Sequence, residues 1–293
     1  MTKTAWVFPG QGSQKVGMQA DLAENAAAKS KFDQAQEILG WSVLEVCQSD
    51  DDKLSRTLYT QPSLYVIEAI LADLLLDNGQ TPHVVAGHSL GEYVALYAAR
   101  VFDFAAGLKL VQRRAELMDQ AEGGKMVALI GFDREQLQTA IDKDPNVVLA
   151  NDNSKAQAVI SGTPDAVEQV VSQIKTKRAV PLNVSGAFHS PLMQDASAQF
   201  KGVLDSVAFA EAKIPVVSNV NPTPSQDAAE LKARLVQQMT GSVRWREIMD
   251  QMAADGVEQV VEVGPGQVLA GLFKRSQSSI TRKGVSCAAD VDS

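Results

Sequence analysis

Histidine is scarce in this chain, three among 293 residues, and cysteine scarcer still, with only Cys47 and Cys287. Two cysteines far apart in sequence make neither a disulfide framework nor a metal-ligand spacing, so a reducing cytoplasm is expected. A basic excess is also missing. The formal net charge of -8 argues against nucleic acid as the main ligand, because a phosphate-binding face needs positive charge. No apolar run approaches the ~20 residues of a membrane span, so no membrane partner is expected. The opening MTKTAWVFPGQG passes at once into a Gly/Pro turn, which is not the form of a secretion signal. Internal repeats and low-complexity stretches are absent as well. What remains is an ordinary globular composition, 45% hydrophobic and 21% charged, long enough for one large domain or two modest ones.

The most informative stretch is Val84 to Ala95, VVAGHSLGEYVA. Two β-branched valines lead into Gly87-His88-Ser89-Leu90-Gly91, and a helical apolar pattern follows. That is the layout of a nucleophile elbow, a serine on a tight strand-to-helix turn with bare positions two residues before and after it. Side chains at Gly87 or Gly91 would collide with the neighbouring strand or helix. The helix behind the turn points its free amides at the serine, where an oxyanion would develop. Ser89 is the candidate nucleophile.

A serine near neutral pH needs a base, and histidine is the usual one. His88 adjoins Ser89, so its side chain points elsewhere. His83 starts the incoming strand, roughly 20 Å away at ~3.3 Å per residue. His189 remains, in a loop before Pro191, and serine first with histidine later is the chain order of hydrolase-like sheets. No acid sits in a telling motif for the third position. Either the fold brings one close, or a backbone carbonyl orients the imidazole.

Elsewhere, Thr4 to Phe8 reads as a strand leaving through Pro9-Gly10-Gln11-Gly12, where the Gln11 amide can donate or accept. Helical patterns cover Met18 to Glu24, Lys31 to Leu39, Trp41 to Cys47 and Ser63 to Leu76. Phe104 to Met118 is a further helix that carries Arg113 and Arg114. Adjacent residues there point about 100° apart, so at most one of the two can face a pocket and grip a carboxylate. From Lys125 onward the order becomes βαββαβ, a ferredoxin-like unit, entered at Gly123-Gly124 and left at Ser185-Gly186. The remainder is helices and parallel-type strands, among them Pro215 to Asn219 and Val257 to Val263. Gly264-Pro265-Gly266 lacks phosphate-loop spacing and reads as a turn.

The motifs FPGQGSQ, YTQPSL, GHSLGEY, LVQRRAELM, GAFHSPLM and VEVGPG occur in one order along nearly the whole chain. In that order the chain resembles the malonyl-CoA:acyl carrier protein transacylases of fatty-acid synthesis and of trans-acting polyketide acyltransferases. The resemblance implies an α/β fold in which a hydrolase-like large subdomain with a parallel sheet (residues 1–124 and 189–293) holds an inserted ferredoxin-like small subdomain (125–188). It further implies Ser89 as acyl carrier and His189 as base and acid, with Gln11 and the Leu90 amide as oxyanion hole. Arg114 would hold the malonyl carboxylate, the Gln238 main-chain carbonyl would orient His189, and Leu90 and Phe188 resemble malonyl-selective versions of their positions. No cofactor and no metal are implied. The expected partners are malonyl-CoA and an acyl carrier protein, docked on a basic patch drawn from Lys175, Lys177, Arg178, Lys274 and Arg275, and a monomer is expected. The competing reading is an acyl-thioester hydrolase on the same scaffold, which would have no use for a guanidinium in its pocket. A non-catalytic docking module is a third reading, and an intact Ser89, His189 and Gln11 argue against it.

Overall fold

The segment TAWVF forms β1 (Thr4–Phe8), and its last four residues are buried. Such a continuous apolar run belongs to a parallel strand covered on both faces. In the computed structural model, which describes residues 2–49 and 52–292, β1 is the middle of a five-stranded sheet. The chain continues through α1 (Ala26–Leu39), α2 (Val43–Gln48) and α3 (Thr57–Asp77) to β2 (Val84–Gly87), then α4 (Gly91–Ala98) and α5 (Phe104–Asp119). Next come β3 (Lys125–Phe132), α6 (Arg134–Ile141), β4 (Val147–Ser154), β5 (Gln157–Gly162), α7 (Pro164–Gln173) and β6 (Thr176–Pro181). The last part holds α8 (Gln194–Ser206), β7 (Val216–Val217), α9 (Ala228–Gln238), α10 (Trp245–Ala254), β8 (Gln259–Val263), α11 (Val268–Ser276) and β9 (Thr281–Val285).

The first sheet runs β7-β2-β1-β8-β9, every pair parallel. The second runs β4-β5-β3-β6, every pair antiparallel, with α6 and α7 against it. That is the strand order of a ferredoxin-like βαββαβ unit, so the α/β class expected from the sequence is the one observed. Alternate residues of the parallel strands feed two cores. Trp6, Phe8 and Val85 join the side chains of α3, α4 and α5, while Ala5, Val7, Val84 and Ala86 face Trp245, Met249, Leu272 and Phe273. A third core of Leu129, Ile160, Val167 and Val170 lies under the antiparallel sheet. The two connections between the sheets press together, for a Cβ on Gly124 would stand 2.1 Å from the Ala187 nitrogen.

Three elements differ from the sequence expectation. Met18 to Glu24 is a series of turns rather than a helix. Met18 and Leu22 are buried at helical spacing, but the chain there is closed by three-residue bonds such as Met18 N to Lys15 O and Ala20 N to Gly17 O. Helix α3 starts at Thr57 and runs through Pro62 instead of beginning after it. A proline that early forfeits a single intrahelical bond. Strand β9 escapes pattern reading because TRKGV is polar, as edge strands often are. The pairing of β1 with β2 and β8 brings three strand ends to one edge: Phe8 leads to Gly10-Gln11, Gly87 to Ser89, and Val263 to Gly264. Ligands of open parallel sheets bind at this carboxyl edge.

Candidate active site

At the end of β2 the chain turns so tightly that Ser89 takes a left-handed backbone, φ 52°. This costs roughly 1–2 kcal/mol for a residue with a side chain. The flanking glycines make the turn possible. A Cβ on Gly87 would lie 1.8 Å from the Gly91 carbonyl carbon, and one on Gly91 would lie 2.1 Å from the Phe8 oxygen. Asn219, beyond β7, pins the turn from outside: its Nδ2 donates to Gly87 O at 2.6 Å and its Oδ1 accepts from Ser89 N at 2.7 Å.

The serine hydroxyl lies 2.8 Å from His189 Nε2. His189 is buried and also left-handed, φ 57°. Its Nδ1 faces two main-chain carbonyls, Gln238 O at 2.9 Å and Gly241 O at 3.2 Å. Carbonyls only accept, so the proton sits on Nδ1 and the Nε2 lone pair is free to accept from Ser89. Burial, aided by the nearby Arg114 charge, holds the imidazole down at about 3, so it is neutral at pH 7. The arrangement can therefore pass the hydroxyl proton to a neutral base without a third carboxylate.

Ser89 N is occupied by Asn219, but among the described residues the N–H groups of Leu90 and Gln11 have no hydrogen-bond partner. Both residues line the same cleft of 240 Å³ as Ser89, His189, Arg114 and Phe188, between the parallel and antiparallel sheets. The Gln11 side chain is held away by Thr57, whose Oγ1 donates to its Oε1 at 2.9 Å. His88, which also lines the cleft, pairs with Asn153 Oδ1 at 2.8 Å rather than with Ser89, and His83 Nδ1 accepts from Thr4 N. Arg113 pairs with Glu116 at the half-exposed face of α5. Arg114 turns inward, 1% exposed, and its Nη2 donates to Ser89 Oγ at 2.9 Å.

Arg114 is also held by Gln61 Oε1 and Gln238 Oε1, with Tyr93 5.4 Å beneath it. Its Nε has no partner, and no carboxylate among the described residues pairs with it. Sequence reasoning did not single out Gln61, Asn219, Gly241 or Glu92 as site residues. Gln61 lay in plain view inside YTQPSL, and a buried amide there is its only local signal. Among the described residues no group of three or more His, Cys, Asp or Glu could hold a metal ion, and no helix is long and apolar enough to cross a membrane.

A neutral serine–histidine pair beside free N–H donors at the carboxyl edge of a parallel sheet is an arrangement that can support acyl transfer by a serine nucleophile. The chain belongs to the acyl transferase domain family, whose profile matches residues 5–291. It is 57% identical over 291 residues to the malonyl CoA-acyl carrier protein transacylase of Synechocystis, covering 99% of each chain. The crystal structure of a Synechocystis malonyl-CoA:ACP transacylase superposes with a TM-score of 0.97 at 56% identity, again with 99% of each chain covered. A malonyl-transacylase solved in complex with its type II PKS acyl-carrier protein superposes with a TM-score of 0.93 at 36% identity, covering 99% of this chain and 98% of that one.

Proposed function

We propose that this chain moves a malonyl group from malonyl-CoA to the phosphopantetheine thiol of an acyl carrier protein through malonyl-Ser89. The observation that carries the reading is Arg114, a buried cation paired with no carboxylate among the described residues, 2.9 Å from the nucleophile. Leaving such a charge unpaired is costly, so the cavity favours an acyl group that brings an anion. An uncharged acyl chain would leave it unpaired, which disfavours the hydrolase reading.

In the forward half-reaction His189 Nε2 takes the Ser89 proton as Oγ attacks the thioester carbonyl. The oxyanion is held by the N–H groups of Gln11 and Leu90, a donor of this kind contributing ~3–4 kcal/mol. Collapse breaks the C–S bond, and the Nε2 proton leaves with the coenzyme A thiol. The carrier thiol then gives its proton to His189 and attacks the ester, and Ser89 is regenerated. Gln238 O and Gly241 O hold the imidazole in one tautomer throughout. Phe188 and Leu90 close the acyl end of the cleft. Residues 125–188 act as a unit that forms the opposite wall. Lys175, Lys177, Arg178, Lys274 and Arg275 are all exposed and would steer an acidic carrier by charge, so docking weakens with salt.

The test is intact-protein mass spectrometry after mixing with malonyl-CoA. A malonyl adduct on the native protein and none on Ser89→Ala is expected. An adduct that survives on the alanine variant would remove Ser89 from the mechanism.

A further inference from the structure

Two side-chain amides grip the Arg114 guanidinium. Gln61 Oε1 accepts from Nη1, and Gln238 Oε1 accepts from Nη2 at 3.2 Å. Buried arginines are ordinarily matched by carboxylates. Here the acid of the network, Glu92, is kept at the far end of the Gln238 amide, whose Nε2 donates to Glu92 Oε2 at 2.7 Å and to Ser89 O at 2.8 Å. Both of those partners accept, so the amide cannot turn over, and its oxygen is left facing the arginine. Gln61 is held more simply. Its Nε2 meets Met118 Sδ, a weak acceptor, and its oxygen serves Arg114.

We propose that Gln61 and Gln238 are specificity-determining residues, uncharged holders that fix the direction of Arg114 without neutralising it, so that the cavity selects an acyl group carrying its own carboxylate. This rests on the malonyl reading above. A carboxylate in either position would form a contact ion pair with the guanidinium and repel a second carboxylate brought by the substrate. A neutral acyl group would not be repelled. The choice between amide and acid at these two positions thus sets the charge that the acyl pocket presents.

The experiment offers the full chain an equal mixture of malonyl-CoA and acetyl-CoA and reads both acyl-enzymes by intact mass. Gln61→Glu changes charge with almost no change of shape, and should lower the malonyl:acetyl ratio about tenfold or more while acetyl loading persists. Gln61→Met removes the acceptor without adding charge and should keep the ratio within about threefold of the native protein. An unchanged ratio in Gln61→Glu overturns the proposal, as does an equal loss in Gln61→Met. Should Gln61→Glu not fold, Gln61→Asp is judged by the same ratio. A native protein that takes up no malonyl would instead overturn the functional reading itself, which separates the two failures.

Discussion

Replacing Arg114 by alanine should separate malonyl from acetyl loading. The guanidinium is 1% exposed, and among the described residues its hydrogen-bond partners are neutral oxygens. A substrate carboxylate bound there would form a desolvated, charge-assisted pair. Truncating one partner of such a pair typically costs ~2–5 kcal/mol. At ~1.4 kcal/mol per factor of ten, kcat/KM for malonyl-CoA should fall by about 30- to 4,000-fold. Acetyl-CoA has no carboxylate to lose, so its value should change far less. The same substitution carries a second signature. The Arg114 charge is the next cause after burial of the low His189 value of about 3. Without it the imidazole titrates higher, though burial still keeps it below the ordinary histidine range. The acid limb of acetyl loading should therefore move upward in Arg114→Ala, whereas the native protein stays flat between about pH 5 and 8. Steady-state loading of both thioesters across pH, with thermal melts to confirm folding, checks both expectations. Parallel losses for malonyl and acetyl would refute the carboxylate clamp, and an unmoved acid limb would refute the electrostatic coupling to His189.

Two further substitutions test the scaffold. Glu68 on α3 is fully buried with no partner among the described residues for either carboxyl oxygen, and burial, then the charge of Glu262, holds it well above the usual carboxylate range. In the unfolded chain it gives up its proton above about pH 4.5 while the folded chain keeps it, so its burial costs more stability as pH rises through that point. Glu68→Met should raise the melting temperature by a few degrees, with the gain growing from pH 5 to pH 8; a gain that does not depend on pH would show that the carboxyl is not the cause. Asp152 on β4, 6% exposed at its side chain, receives both Arg134 at 2.8 Å and Arg246 at 2.9 Å, joining the antiparallel sheet to α10. Both arginines can reach water, so Asp152→Ala should cost ~1–3 kcal/mol in denaturant unfolding rather than the larger penalty of a stranded buried charge. A loss below ~0.5 kcal/mol would reduce this brace to a surface contact.

How far the site was legible in the sequence depended on whether its cause was local. The elbow at Ser89 could be read because its constraint is steric and confined to five residues: Gly87 and Gly91 leave no room for a Cβ. His189 could be reached by elimination because only three histidines exist, although nothing local announced its left-handed backbone. Gln61 and Asn219 act through bonds to residues far off in sequence, Arg114 and Gly87, and an amide carries no periodicity that foretells such a partner. The carbonyl of Gly241 is beyond sequence reading on principle, since every residue has one. The same locality explains the errors in the fold. Met18 and Leu22 have the spacing of a helix face, yet burial constrains where side chains lie and not which backbone puts them there.

That a carbonyl rather than a carboxylate orients His189 accords with the charge proposed for the acyl group. An ionised acid at Nδ1 would raise the affinity of the imidazole for a proton, and would place an anion near the guanidinium proposed to bind the substrate. The network avoids both consequences by the same means. Neutral oxygens of Gln238 and Gly241 hold the histidine, neutral oxygens of Gln61 and Gln238 hold the arginine, and Glu92 is hydrogen-bonded to the Gln238 amide while its charge acts on the arginine without contact. Gln238 serves both halves, its main-chain oxygen on the base and its side-chain oxygen on the cation. The histidine and the proposed carboxylate site are thus tied to one residue at the end of α9, and a substitution there that alters the arginine's grip without moving the main chain should change which acyl group is taken and leave proton transfer intact.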